Sequence, residues 1–142
     1  MNVYLDSSAL LRVVMRQRDA LKEWNRITRG IGSALIEVEG LRTLDRLRLT
    51  ERHGDEVAAE RREAVFRLME AMEIVEIGHA VLARASQPLP TALGTLDAIH
   101  LATALLWKER AGVELAMATH DAARDGGARQ RIAGARDLNR LV

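Results

Sequence analysis

The stretch VYLDSSALL, residues 3–11, passes from an apolar run into a helical pattern through three polar residues. Residues 2–5 are predicted to form a short buried strand, because the run is brief and apolar. The Asp-Ser-Ser that follows has the residue types of a helix N-cap and introduces a predicted helix over 7–16. A buried strand that leads directly into a helix is the beginning of a βαβ arrangement.

The rest of the chain continues this alternation of short strands and longer helices. The predicted strands are 2–5, 30–33, 73–77, 113–118 and an edge strand over 131–134. The predicted helices are 7–16, 19–29, 34–49, 55–72, 79–85, 95–110 and 121–130. This order predicts a three-layer α/β/α fold with a short, mostly parallel central sheet. We expect one domain over 1–142, because no repeat, long linker or low-complexity segment divides the chain.

Composition excludes several classes of protein. Hydrophobic residues make up 48% of the chain and aromatic residues only 3%, so the core must consist of Leu, Ala, Val and Ile. The absence of cysteine excludes disulfides and thiolate metal sites and suits a cytoplasmic protein. The N-terminus lacks the layout of a signal peptide, and the longest apolar run, within 96–107, is too short to span a bilayer. We therefore expect no association with a membrane.

Basic residues are almost all arginines. Among 21 basic residues only Lys22 and Lys108 are lysines, while the net charge is just +1. Arginine forks bind phosphate bidentately and stack on bases. A GC-rich genome that favours arginine codons is the preferred explanation, so this bias alone does not predict nucleic-acid binding.

Three aspartates lie where apolar runs meet predicted turns. Asp6 and Asp121 follow predicted strands, and Asp97 opens the most apolar predicted helix. Since ligands in such sheets bind at the carboxyl ends of the strands, we expect Asp6 and Asp121 to share one crevice. Carboxylate oxygens are the ligands of hard divalent cations. The pattern therefore predicts an acidic metal pocket.

Each aspartate also has a purely structural interpretation. Asp6 and Asp121 would serve as helix N-caps, a role worth about 1 kcal/mol. Asp97 lies in the first turn of its helix, where the helix dipole contributes only about 0.3–1 kcal/mol. Desolvating a carboxylate costs several kcal/mol, so a buried Asp97 would need a metal or an arginine as partner.

The predicted helix 34–49 carries two further acids, Glu37 and Glu39. A helical wheel places Glu37 on the apolar arc together with Val38. It places Glu39 on the opposite side, where an i,i+3 pair with Arg42 is expected. Spacing alone therefore does not choose Glu39.

Four segments resemble the motifs of PIN domains. Residues 3–11 resemble the opening of that family, and residues 96–104, LDAIHLATA, resemble its most specific string. Residues 118–121, ATHD, resemble the final Thr-x-Asp, although His120 stands where tyrosine is common. In residues 33–42, SALIEVEGLR, the spacing from the serine to the acid and on to the arginine matches the second motif. The resemblance spans essentially the whole chain and is closest to the VapC group, the ribonuclease toxins of toxin–antitoxin pairs.

The resemblance implies a PIN-like fold and a site built from Asp6, Glu39, Asp97 and Asp121. In that register Glu39, and not Glu37, is the acid of the second motif. The resemblance further implies Mg²⁺ or Mn²⁺ held by Asp6, Asp97 and Asp121, and hydrolysis of single-stranded RNA by a metal-activated water. A small antitoxin protein would silence the enzyme. Ser8 and Thr119 resemble the hydroxyl residues that support the pocket, and the contributions of Glu37 and Asp125 stay open.

Several alternatives remain beside this interpretation. His100 lies one turn after Asp97 and is expected to be either a proton donor or, preferably, a core histidine bonded to a carboxylate. Ser8 stands where a haloacid-type phosphatase needs a second aspartate, and the late lysine of a receiver domain is missing. A catalytically silent PIN-like binding module and an enzyme acting on DNA remain open.

The apolar surface of the helices 34–49 and 55–72 predicts a homodimer and an antitoxin helix docked in a groove.

Overall fold

The computed structural model describes residues 1–17, 21, 23–51, 54–89, 92–121 and 129–133, with the backbone alone at 120, 121 and 129–133. The strands are β1 (Asn2–Leu5), β2 (Arg29–Ser33), β3 (Glu73–Val75), β4 (Ala116–Asp121) and β5 (Arg129–Ala133). The helices are α1 (Ser7–Val14), α2 (Leu35–Glu51), α3 (Asp55–Glu70), α4 (His79–Ala85) and α5 (Thr95–Ala111), with a 3₁₀ turn at Trp24–Arg26. Within these residues, no helix is both long and apolar enough to cross a membrane.

Across the described residues, the strands form one sheet in the order β3-β2-β1-β4-β5. β1 pairs in parallel with both β2 and β4, with Tyr4 opposite Ile31 on one side and Met117 on the other. β3 is parallel to β2, and β5 runs antiparallel to β4. The predicted α/β fold with a mostly parallel central sheet is confirmed. The strand order reverses at β1, so a crevice is expected where the carboxyl ends of β1 and β4 diverge.

The core divides between the two faces of the sheet. Val3 and Leu5 of β1 pack with Ala9 and Ala118 on the face covered by α1, whereas Tyr4 packs with residues of α5 on the other face. This follows from the alternation of side chains along a strand. A separate apolar cluster joins α1, α2 and α3. The helices therefore lie on both faces and give the three layers.

Gly32 allows α2 to begin directly above the sheet. A Cβ at this position would lie 2.9 Å from Met72 Cε and closer still to Ile36 Cδ1. Only a residue without a side chain lets Ile36, in the first turn of α2, remain fully buried there. Gly32 therefore helps to set the position of α2, which carries Glu39.

Two predicted helices are wrong in the described residues. Within the predicted helix 19–29, only Trp24–Arg26 are helical, as a 3₁₀ turn, and Arg29 already pairs with β1. Near the two ends of the predicted helix 121–130, Asp121 and Arg129 are instead strand residues that pair with each other. The strand predicted over 113–118 is observed three residues later, at Ala116–Asp121. Strand pairing thus overrides local helical spacing in both places. Residues 18–20, 22 and 122–128 lie outside the described residues.

Candidate active site

Asp6 is fixed at the carboxyl end of β1. Its Oδ1 accepts hydrogen bonds from Ala9 N at 2.8 Å and Ser8 Oγ at 2.6 Å, which makes Asp6 the N-cap of α1. Its backbone N–H donates to the Ala118 carbonyl of β4 at 3.3 Å. The side chain is therefore held in one orientation between β1 and β4. Within the part of the chain that the structure describes, both side-chain hydrogen bonds of Asp6 go to Oδ1 and none goes to Oδ2.

Glu39 points toward α5, not toward solvent. Its Oε2 lies 2.7 Å from His100 Nε2, and its side chain is only 20% exposed. Ser7 also donates a hydrogen bond to this carboxylate. Because Ser7 follows Asp6 directly, the two acids belong to one corner of the molecule.

The helical wheel was wrong about one edge of the apolar arc of α2. Glu37 is exposed and Val38 is 60% exposed, whereas the buried stripe of α2 runs through Ile36, Gly40 and Leu44. The wheel gave no apolar weight to Gly40, although Gly40 lies against Val65 of α3. The predicted apolar arc was therefore right for Ile36 and Leu44 but extended too far, to Glu37 and Val38. Arg42 pairs with Asp45 at 3.2 Å and not with Glu39.

His100 is buried between Glu39 and the sheet. While Nε2 faces Glu39, Nδ1 lies 2.9 Å from the Tyr4 hydroxyl and 3.3 Å from Ser33 Oγ. The residue is 3% exposed. The favoured interpretation, a core histidine bonded to a carboxylate, is confirmed. A proton donor would need access to the leaving group, which this burial denies.

The charge of Glu39 is stabilised by its partners. Burial by itself would raise the pKa of this carboxyl, but the hydrogen bonds and charge of His100, together with the hydrogen bond from Ser7, lower it below its ordinary value. Glu39 is therefore ionised at neutral pH. An ionised carboxylate only accepts hydrogen bonds, so it suits either a cation or a water molecule.

Asp97 lies in the first turn of α5, which begins at the same rim and runs back toward the start of β4. The side chain is exposed, so the expectation of a desolvated carboxylate that requires a partner is wrong. The desolvation argument could not show this, because the burial of a first-turn residue depends on which elements pack against that turn. Asp97 precedes His100 by three residues and so lies one helical turn from the Glu39 contact.

Asp121 is the last residue of β4, where its backbone pairs with Arg129. Since Leu5 lies opposite Ala118, Thr119 is level with Asp6 and the backbone of Asp121 lies two residues further along. Thr119 itself is half-buried. The backbone of Asp121 is thus at the same edge of the sheet as Asp6, while Asp125 lies outside the described residues.

The structure brings Asp6 and Glu39 together through Ser7 and places Asp97 at the same rim. Among the side chains that it describes, no three Asp, Glu or His residues converge closely enough to hold a metal ion. The side chain of Asp121 is not among them. The donor types nevertheless fit a hard divalent cation, because the rim offers carboxylate oxygens and the chain has no thiolates.

Tyr4 and Ser33 are site residues that the sequence analysis missed. Both are fully buried and both contact the ring of His100. A signal was present in the sequence, because a tyrosine inside a buried strand must find a hydrogen-bond partner for its hydroxyl. The partner could not be named without knowing that α5 covers this face of β1.

The comparisons with known proteins identify the family and the fold. Residues 3–122 match the family model described as PIN domain. Ribonuclease VapC46 from Mycobacterium tuberculosis is 36% identical over 124 residues, which cover 84% of each chain. The crystal structure of Mycobacterium tuberculosis VapC20, a sarcin–ricin loop cleaving toxin, matches with a TM-score of 0.54 over 79% of this chain and 85% of that chain. At 16% identity that likeness shows the fold alone.

The family match spans most of the chain, from β1 to the end of β4, and so includes all four acids that the motifs single out. The sheet order, the capped aspartate after β1 and the inward glutamate of α2 all lie within it. This chain is therefore a member of the PIN domain family, within its group of VapC proteins.

Proposed function

We propose that this chain is a Mg²⁺- or Mn²⁺-dependent endoribonuclease and the toxin of a toxin–antitoxin pair. One observation carries the proposal: donors from α1 and α5 fix the carboxylates of Asp6 and Glu39 at the carboxyl end of the sheet. The name of its relative VapC46, a ribonuclease, supports the activity. RNA is the substrate class that we assign to this rim.

Asp6, Asp97 and Asp121 would hold the cation, and Glu39 would orient the attacking water. When bound, a divalent cation supplies an activated water and stabilises negative charge on the phosphate. Ser8 and the Ala9 N–H fix Oδ1 of Asp6 and leave its second oxygen for ligation. Glu39, held by His100, would accept a hydrogen bond from the water. In this mechanism no side chain forms a covalent bond to the RNA.

An RNA digest with and without EDTA tests the proposal. Wild-type protein should cut single-stranded RNA with Mg²⁺ or Mn²⁺, and EDTA should stop the reaction. Asp97→Asn should abolish cleavage and preserve the fold, because Asp97 is exposed and its replacement disturbs no packing. Asp55→Asn is the matched control, since Asp55 is also an exposed acid in the first turn of a helix. Wild-type rates in Asp97→Asn would refute the assignment.

The same assay separates the alternatives. A silent binding module would neither bind Mn²⁺ in a titration nor cut RNA in its presence. An enzyme acting on DNA would cut a single-stranded DNA of the same sequence in preference to the RNA. Each of these results would contradict the ribonuclease proposal.

The partners follow from the same proposal. Exposed apolar side chains on α2 and α3 support a homodimer and a docked antitoxin helix; they are Val38, Leu49, Val57 and Phe66. Sedimentation at high concentration should show a dimer, and a clean monomer would contradict it.

A short open reading frame directly upstream is expected for the antitoxin. We place the protein in the cytoplasm, where its RNA substrate would be found.

A further inference from the structure

A chain of buried hydrogen bonds leads from the centre of the sheet to the rim. The Tyr4 hydroxyl contacts His100 Nδ1 at 2.9 Å, and His100 Nε2 contacts Glu39 Oε2 at 2.7 Å. Tyr4 belongs to β1, His100 to α5 and Glu39 to α2. The chain therefore ties three separate elements to one carboxylate of the proposed site.

The direction of each hydrogen bond follows from its partners. Thr103 Oγ1, which also contacts the Tyr4 hydroxyl, gives its proton to the Ile99 carbonyl at 2.7 Å. Tyr4 is fully buried, which disfavours a charged phenolate, so the hydroxyl keeps its proton and has it available for His100 Nδ1 or Thr103 Oγ1. The Glu39 carboxylate can only accept, so His100 Nε2 carries a proton and donates it to Glu39 at 2.7 Å. In the neutral ring Nδ1 is then the acceptor, and the Tyr4 hydroxyl is the donor that faces it.

We propose that His100 is a positioning residue for Glu39, with Tyr4 fixing the ring tautomer that donates to the carboxylate. This inference rests on the proposed function, since Glu39 must take part in cleavage. His100 is too buried to touch RNA, so its effect passes through Glu39 alone. A carboxylate that is already oriented loses no rotamer freedom when water and substrate bind.

The same helix supplies a matched control. At the opposite end of α5, Trp107 Nε1 donates to Glu73 Oε1 at 2.8 Å, which is also an N–H bond to a carboxylate. Trp107 is also buried, at 6% exposure against 3% for His100. It lies ten residues after Asp97 in α5, about 15 Å along the helix. Loss of this bond should disturb α5 without disturbing Glu39.

Cleavage kinetics provide the first test. His100→Leu should lower kcat by about 10- to 100-fold with little change in KM, as for other residues that orient a metal-site carboxylate. His100→Gln keeps an N–H donor and should recover part of the loss, while Trp107→Phe should retain the wild-type kcat. In a Glu39→Gln background, His100→Leu should cause little further loss. Equal losses of kcat in His100→Leu and Trp107→Phe would overturn the proposal. So would a double variant, Glu39→Gln with His100→Leu, whose loss of kcat is the product of the two single losses.

Nitrogen NMR of the metal-free protein tests the tautomer without any cleavage. The His100 ring should carry its proton on Nε2, and Tyr4→Phe should move part of the population to Nδ1, where Ser33 can accept it. Wild-type protein that cuts no RNA contradicts the proposed function. Wild-type protein that cuts RNA but carries the proton on Nδ1 contradicts this inference alone.

Discussion

Trp107 and Glu73 join the far end of α5 to the edge of the sheet. The indole Nε1 donates to Glu73 Oε1 at 2.8 Å, and the guanidinium of Arg29 lies 5.0 Å from the centre of the indole ring while also pairing with Glu73. These contacts connect α5 with the first residues of β2 and β3. They lie at the end of the molecule opposite to the acidic rim, so they serve folding and not catalysis.

Trp107→Phe should therefore destabilise the protein without affecting its chemistry. The change removes one hydrogen bond to a half-exposed carboxylate and part of a buried ring, which together cost about 1–2 kcal/mol. Urea unfolding measures this loss. A variant as stable as the wild type would show that the Trp107–Glu73 hydrogen bond contributes nothing to the fold.

Asp6 combines a cap with a proposed ligand, and two substitutions separate these roles. Asp6→Asn keeps an N-cap of similar quality, so the free energy of unfolding should change little while cleavage is lost. Asp6→Ala should lose cleavage and also about 1 kcal/mol of stability. Unfolding curves and RNA digests of both variants provide the measurement. If Asp6→Asn cuts RNA normally, the charge of Asp6 has no role in the reaction.

Glu39 should make stability depend on pH in the acid range. Its pKa in the folded protein is lowered by His100 and Ser7 against the opposing effect of burial. The ionised form therefore stabilises the fold above the ordinary carboxyl pKa, and this contribution disappears as the pH falls through the lowered value. The difference in unfolding free energy between wild type and Glu39→Gln should shrink below about pH 4.5, the ordinary value.

The Glu73 carboxyl also has a lowered pKa, mainly because of its hydrogen bond from Trp107. Glu73 is present in both wild type and Glu39→Gln, so its contribution to the pH dependence of stability cancels when the two proteins are compared. Urea titrations between pH 7 and pH 3 give the two stabilities. A difference that stays constant over this range would mean that the Glu39 pKa is not lowered in the folded state.

Gly32→Ala should displace the first turn of α2. The new methyl group would collide with Ile36 Cδ1 and Met72 Cε, a kind of overpacking that costs about 1–3 kcal/mol. Ile36→Val removes the colliding atom, so it should restore stability in the Gly32→Ala background although it is destabilising by itself. Thermal unfolding of the single and double variants measures this coupling. Simple additivity would show that Ile36 does not set the position of α2.

Much of the fold could be predicted from the sequence because strand and helix periods differ. The apolar run before Asp6 and the long apolar stretch after Asp97 gave elements close to those observed. Residues 19–29 and 121–130 failed because Arg29, Asp121 and Arg129 are held in strands by pairing with distant segments. Such pairing leaves no trace in local spacing.

The site was predictable to a smaller extent. The motif register chose Glu39, which periodicity had placed on the surface. Periodicity failed because the buried stripe of α2 passes through Gly40, a residue that contributes no apolar side chain to the pattern. The desolvation argument for Asp97 failed because burial depends on where the covering sheet ends. Tyr4 and Ser33 were missed because their partner, His100, lies far away in the sequence.

The central place of β1 in the sheet has a consequence for synthesis. β1 is made first, yet its neighbour β4 leaves the ribosome only when most of the chain has been translated. Until then the backbone N–H of Asp6 lacks its acceptor, the Ala118 carbonyl of β4. A nascent or truncated chain that ends before β4 therefore lacks the strand that places Asp121 at the edge of the sheet near Asp6.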